Sequence, residues 1–563
     1  MESGSRSGSA AASGAEFAAK TPLGAVFSPA YRRFSLTVLF FGIVTAAALA
    51  AAPLAQRMLI DSANAGLREE TLRSAVALIV LFALVFVCGT LNTLLRFRLG
   101  VELRFRLQSA IFRRLLGMPE DLLRSRGSGY FFNRLQNDSA EVVRFGAGNA
   151  LQQYEDLLKF LFAFAILSVQ KWQFALPAIP FLLLHAAIYH RYRIRQYRLG
   201  HRIQERSAAE GFRMQEYLAG HATLKTHDAV EAASRRIDEG FARWRAIAFL
   251  RLFLENRFRF LLQLPELAFC GGVAAFGVLR VLDHAWTLGE VWALVVLIRQ
   301  VFAPTRRIGL ARFQMQSACA AWDRIRNLYR AGGDTGADAA ETPCRALRGD
   351  IVLSQVDFAY REDTPLFRGL SLTVRGGDLC FLTGANGSGK STLLLLLRLY
   401  RPSAGAITIG GVPVDRFESG SYRARIGYLG QTPEFFPGTI RENLLLGAVR
   451  SDEEIHAELA RLNCEELVAR RPGGLDAPVE ERGGNFSGGE RLRLALVREM
   501  LRDTDILLLD EAAANLDFEA RAHFYSLLPR LRGSRTIIAV VHGEVPPELA
   551  AEPVFRLPDP AAR

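Results

Sequence analysis

A chain of 563 residues is long enough for two or more domains, and half of this one is hydrophobic while 22% of it is charged. A mean hydropathy of +0.13 is high for a soluble protein with that charge content, so an all-soluble chain is disfavoured and a membrane portion joined to a charged globular portion is indicated. The formal net charge of +12 fits nucleic acid, an anionic membrane surface or a topology signal, and only its placement along the chain separates these.

Residues 1–19 are rich in Ser, Gly and Ala and lack a continuous apolar core, so 1–30 is expected to be a disordered tail and not a signal peptide. Six apolar stretches of spanning length follow, at 34–58, 72–95, 156–169, 172–190, 261–281 and 288–309. The third is interrupted by Asp156 and Lys159, which moves its start toward Leu151.

The connections at 61–71, 170–171 and 282–287 carry almost no positive charge, whereas 96–144 and 191–245 are crowded with arginine. By the positive-inside rule the two long connections and both termini face the cytoplasm. The excess charge is thereby a topology signal, and no nucleic-acid partner is expected. Helical spacing of Leu103, Leu107, Ile111 and Leu115 predicts that the spans continue beyond the membrane as helices. Turn signals at 126–129 and 218–221 mark the tips of two cytoplasmic hairpins. The six cysteines (Cys88, Cys270, Cys319, Cys344, Cys380, Cys464) are scattered without a CxxC pair, which argues against a disulfide framework or a metal ribbon.

His185, Glu266 and Arg299 fall inside the fourth, fifth and sixth spans. Counted from the outer ends at 1.5 Å per residue, they lie roughly 20, 22 and 16 Å deep, with Lys159 near the same level. Mid-membrane charges cost a few kcal/mol each. They are expected either to form a structural Glu266–Arg299 pair or to line a cavity for a polar cargo.

A polar segment, 331–348, reads as a linker, and from residue 349 short β-branched runs alternate with helical ones. Within this α/β part, Gly384-Ala385-Asn386-Gly387-Ser388-Gly389-Lys390-Ser391 fits G-x-x-x-x-G-K-[ST]. It follows an apolar strand at 379–382 and opens a Leu-rich helix at Thr392. Its backbone N–H groups can close around phosphate oxygens, Lys390 can bridge the outer phosphates and Ser391 can hold Mg²⁺. The run 506–511 places Asp510 and Glu511 after a buried strand, where open α/β sheets bind ligands. Asp510 suits a Mg²⁺ shell, and Glu511 suits polarisation of an attacking water.

Between these two elements, Asn485-Phe486-Ser487-Gly488-Gly489-Glu490-Arg491 resembles the LSGGQ signature of ATP-binding-cassette (ABC) proteins. The resemblance extends in order along the chain. Tyr360 looks like the aromatic that stacks on adenine, and Gln431 is similar to the Q-loop glutamine. Glu481-Arg482-Gly483 resembles the loop before the signature in exporter-type members. Asn515-Leu516-Asp517 resembles the D-loop, and His542 the switch histidine. Phrases such as 435–443 match the exporter branch, with Phe486, Glu490 and Leu492 as departures from the usual Leu, Gln and Gln.

The resemblance implies a multidomain half-transporter, with an all-α six-helix transmembrane domain (31–330), a linker (331–348) and an α/β P-loop NTPase cassette (349–563). ATP would be held by Tyr360, 384–392 and Asp517, and by Ser487, Gly488 and Gly489 supplied by a second chain. Mg²⁺ would be held by Ser391, Gln431 and Asp510, and catalysis carried by Glu511, Gln431 and His542. A homodimer in the cytoplasmic membrane, bathed by its lipids and exporting a small molecule, lipid or peptide, is the function implied. A siderophore-type importer on the same fold and a lipid flippase are the alternatives. A soluble cassette ATPase is disfavoured by the six spans. A peptidase-bearing exporter is disfavoured by the short segment before Phe34.

Overall fold

The computed structural model describes residues 31–118, 120, 122–123, 127–331, 342–361, 364–514, 516 and 518–558. The expected tail, most of the linker, Arg126 of the first hairpin tip, and Asn515 and Asp517 lie outside the described residues. The chain divides into two compact units, one of residues 1–114 and 129–330, the other of 115–128 and 331–563.

The first unit is helical. Its principal helices are α1 (Arg32–Asn64), α2 (Arg68–Leu116), α3 (Leu151–Ala219), α4 (Val230–Leu282) and α5 (Leu288–Ala331). Among the described residues, five helices are long and apolar enough to cross a membrane. At 1.5 Å per residue, the 53 residues of α4 reach ~80 Å, far beyond a hydrocarbon core of ~30 Å.

The third and fourth expected spans both lie in α3. The helix breaks between them at Lys171, whose torsions (φ −151°, ψ 75°) leave the helical region. The second half of α3 packs antiparallel on α4. Phe174 meets Phe276 at 6.1 Å, Phe181 meets Phe269 at 5.0 Å and Tyr192 meets Phe258 at 5.6 Å. The hairpin tip after α3 turns at Gly220 into a short helix, His221–Thr226, before α4 begins.

Polar contacts gather the short connections at one end of this unit. Arg57 donates to Gln170 at 3.0 Å and pairs with Glu290 at 2.9 Å. Lys171 lies over the Trp286 ring (4.6 Å to its centroid) and 3.8 Å from Glu290. The Gly289 N–H donates to Asp61 (3.1 Å), and a Cβ there would stand 2.6 Å from the Arg57 carbonyl, so only glycine permits this approach.

Farther along the helices the ion pairs depart from expectation. Glu266 pairs with Arg306 at 2.7 Å and not with Arg299, which has no ion pair among the described residues. The reason is register. Phe269 faces Phe302 (6.0 Å), and a Cβ on Gly277 would meet Val291 at 2.8 Å. This antiparallel alignment of α4 on α5 sets Glu266 opposite Arg306, and Arg299 lies seven residues back, ~10 Å along the axis. Lys159 is taken by Glu155 (2.5 Å), Asp156 by Arg307 (3.2 Å), and His185 is buried against Phe302 (5.4 Å). The expected single cluster is therefore several separate pairs.

In the second unit the strands of the two larger sheets are β1 (Ile351–Arg361), β2 (Thr364–Val374), β3 (Leu379–Thr383), β4 (Ala404–Ile409), β5 (Val412–Pro413), β6 (Ile426–Leu429), β7 (Ile506–Asp510), β8 (Thr536–Val540) and β9 (Val554–Arg556), and a short antiparallel pair joins 438–439 to 478–479. A parallel sheet runs β9-β3-β8-β7-β6, and a separate antiparallel sheet, unforeseen from the sequence, runs β2-β1-β4-β5.

Strands β3, β6, β7 and β8 are buried on both faces, as their uninterrupted apolar runs require, while the edge strand β9 is largely exposed. Leu507 and Leu509 enter one core with Phe381 and Ala539, while Ile506 and Leu508 enter the other with Leu382 and Ile538. Side chains alternate at period 2, so this one sheet separates two cores and fixes which residues emerge at its C-terminal edge. All six cysteines are free.

Candidate functional site

The loop between β3 and the helix α6 (Lys390–Leu396) opens the site. Gly389 has φ 95°, and a Cβ on it would strike the Phe367 ring at 2.7 Å, so this position demands glycine twice over. Lys390 is buried, and its Nζ donates to the carbonyls of Gly384 (2.9 Å) and Ala385 (3.0 Å), which holds the ammonium across the loop. Tyr360, at the end of β1, donates or accepts a hydrogen bond with Thr392 at 2.9 Å. Its ring stands edge-on to Phe358 and Tyr400 (5.1 and 5.7 Å) and is half exposed, so a face is propped outward for stacking.

At the C-terminal end of β7, Asp510 accepts a hydrogen bond from Ser391 Oγ at 2.9 Å and another from the Tyr428 hydroxyl at 3.1 Å. Burial pushes its carboxyl above the ordinary carboxylate range, against these hydrogen bonds and Lys390, while neighbouring Glu511 pushes the same way as burial. Such a group binds a proton more readily folded than unfolded, so its contribution to stability is lost as pH rises through its folded pKa. Ionised Asp510 therefore costs stability at neutral pH. Asp510→Asn is expected to abolish ATPase activity yet raise the cassette's melting midpoint, by about 2–4 °C per kcal/mol recovered in a domain of this size. An unchanged or lower midpoint in a thermal melt at pH 7.5 counts against this account.

Gln431, two residues past β6, donates to Glu511 Oε2 at 3.0 Å. Glu511 itself sits at φ 51°, a left-handed conformation that costs a non-glycine residue ~1–3 kcal/mol and is kept where surroundings over-determine it. His542, two residues past β8, has its Nε2 3.0 Å from Asn386 Oδ1, which brings it onto the phosphate loop. Ser391, Asp510 and Gln431 form an all-oxygen donor set of the kind Mg²⁺ takes, and the first two are already in contact. Gln431 is joined to Glu511 and through it to the same strand end.

Ser487 caps the helix α7 (Gly488–Met500) in a reciprocal box. Its Oγ accepts from the Glu490 N–H (3.2 Å), and Glu490 Oε2 accepts from the Ser487 N–H (2.8 Å). Ser487 and Gly488 are exposed and Gly489 half-buried, so first-turn N–H groups are presented at the positive end of a 13-residue helix.

The hydroxyl of Tyr428 was not legible as part of the site. The one available signal is a lone hydroxyl-bearing aromatic in β6, which pairs with β7 in register Tyr428↔Leu508.

Residues 35–305 match the ABC transporter transmembrane region, and 367–514 match the ABC transporter family of the ATP-binding domain. An uncharacterized ABC transporter ATP-binding protein of Sinorhizobium fredii is 32% identical over 58% of this chain, and this chain spans 56% of that relative's length. The ATP-dependent lipid A-core flippase of Bordetella avium is 27% identical, over 86% of this chain and 83% of the relative. A solved structure of a bacterial Atm1-family ABC exporter with ATP bound superposes with a TM-score of 0.83. It covers 94% of this chain and 93% of its own at 21% identity, a likeness of fold.

Proposed function

Because the chain belongs to the ABC transporter family, with the transmembrane region and the ATP-binding domain on one polypeptide, we propose that it acts as a homodimer exporting its cargo by alternating access. ATP hydrolysis coupled to transport across a membrane is the family's activity and this chain's. The observation that carries the finer reading is the convergence of Lys390, Ser391, Asp510, Glu511 and His542 at one sheet edge, while the exposed start of α7 has no part in that convergence.

A phosphate held by the loop of one chain needs N–H donors on its far side. The Ser487–Gly489 turn of a second chain supplies them, so two composite sites form per dimer. Tyr360 stacks the base, and Lys390 and the loop amides bind phosphate. Mg²⁺ held by Ser391, Asp510 and Gln431 supplies charge neutralisation on the outer phosphates. Glu511, oriented by Gln431, takes the proton of the attacking water, and His542, held by Asn386, hydrogen-bonds the γ-phosphate. Asp517 belongs to the same interface in this reading. ATP draws the cassettes together and hydrolysis releases them, which switches the access of the spans.

The charge asymmetry supports a cytoplasmic-membrane location with the cassettes in the cytosol. Relatives of similar identity are named for a lipid flippase, multidrug resistance and lactococcin transport, and ATPase stimulation by lipids, drugs and peptides in reconstituted membranes reads this chain's cargo class directly.

Mixed dimers test the composite site. Ser487→Arg spoils both sites of a homodimer, and so does Lys390→Ala, but a heterodimer of the two keeps one site whole. Subunit mixing is expected to restore ATP occlusion to about half the wild-type stoichiometry in the heterodimer fraction, since one of two sites is rebuilt. Occlusion no greater than in either parent homodimer would overturn the arrangement.

A further inference from the structure

Glu490 puts a carboxylate at the start of α7, with its Oε2 accepting the Ser487 N–H at 2.8 Å. For an isolated helix that is favourable, since a negative group at the N-terminus complements the dipole. Here the same helix start is where the proposed function brings the γ-phosphate of another chain's ATP, and two anions cannot share it without a counter-charge.

One cation is pinned beside it. Arg471 donates from Nη2 to the Asn485 carbonyl (2.8 Å), lies 3.8 Å from Glu490 Oε2, and spreads its guanidinium over the Phe486 ring with Cζ 3.8 Å from the centroid. Phe486 is buried and stacks on Phe435 (6.3 Å, 26°), whose other neighbour is the buried Arg498. Arg498 in turn donates to the carbonyls of Asn443 (2.8 Å) and Glu434 (3.0 Å). Arg491, next in sequence to Glu490, donates to the Arg482 carbonyl (3.1 Å).

We propose that Arg471 is a positioning residue for ATP turnover: held in place by the Asn485 carbonyl and the Phe486 ring, it neutralises Glu490, so that the start of α7 can receive the γ-phosphate of ATP held by the second chain. Two of the departures from the usual signature, Phe486 and Glu490, are the groups Arg471 touches by face and by charge. An arginine suits the place because its flat, delocalised cation can stack and pair at once. The inference rests on reading Ser487–Gly489 as phosphate-facing.

A double-mutant cycle on the full-length protein in nanodiscs tests it by steady-state ATPase. Arg471→Ala is expected to raise the KM for ATP about three- to tenfold with a smaller change in kcat, as loss of a partly exposed counter-charge allows. In a Glu490→Gln background the same change is expected to shift KM by under about twofold, because no charge is left to neutralise. The wild-type-background effect is expected to grow at low ionic strength. An equal rise in both backgrounds means Arg471 acts only by packing on Phe486 and Asn485, and overturns the proposal. Should Arg471→Ala fail to fold, Arg471→Lys decides: charge without the flat face keeps KM within about twofold if neutralisation is the role, and a larger rise overturns it. Ser487→Arg in the same assay separates the two levels. Normal turnover there sinks the phosphate-facing reading itself. Lost turnover together with an additive cycle sinks the Arg471 proposal alone.

Discussion

Glu511→Gln is expected to bind ATP as tightly as the wild type while its turnover falls about 10²–10⁴-fold, the usual contribution of a positioned general base. Glutamine keeps the shape of the side chain and an oxygen to accept the Gln431 amide at 3.0 Å, so the strained turn after β7 should persist. Only the proton-accepting capacity goes. With hydrolysis blocked and binding intact, the dimer is expected to accumulate with nucleotide trapped, measured as ATP retained through a desalting step. Near-wild-type phosphate release from purified Glu511→Gln protein would remove Glu511 as the base, and the role would pass to a group that the 510–511 pair does not contain.

The pair between Glu266 and Arg306 predicts the second large effect. Their side chains meet at 2.7 Å, with the carboxylate nearly buried and the guanidinium about one-third exposed. Removing either partner alone leaves a charge facing apolar surroundings, at a cost of ~1–3 kcal/mol after allowance for the exposed arginine. Glu266→Ala and Arg306→Ala are each expected to lower the melting midpoint and membrane yield, and the double variant to recover part of both. Arg299→Ala is expected to melt like the wild type. If the double variant is worse than the two singles combined, the pair is not what stabilises α4 on α5. If Arg299→Ala is the damaging change, the register described above is wrong.

These two predictions divide what a linear sequence can disclose from what it cannot. The phosphate loop was legible because its parts are local: strand, glycine turn, lysine and helix follow one another within 384–392, and the carboxylates follow directly on their own strand. Charge asymmetry between connections likewise needs no knowledge of packing, and it located the turns that Lys171 and residues 283–287 make. What escaped depends on register between elements far apart in the chain. Glu266 pairs with Arg306 because two antiparallel helices align there, and a depth count from assumed span ends is out by the one or two turns that matter. Tyr428 reaches Asp510 because β6 lies beside β7, though 82 residues separate them. The antiparallel sheet escaped for a related reason: hydrophobic alternation marks a strand but is silent on its neighbours.

The outward connections have a practical side. Among the described residues, 65–67, Lys171 and 283–287 are what join the helices at that end, so under the proposed topology a protease or an antibody outside the cell would find little backbone to grip. Chemical labelling fares differently. The chain has five lysines, at 20, 159, 171, 225 and 390, and under the proposed topology Lys171 alone faces outward. A membrane-impermeant amine reagent applied to intact cells would thus modify one position. Its rate would follow how firmly Trp286 and Glu290 hold that ammonium, making a single native lysine a reporter of whether the outer turns are together or apart.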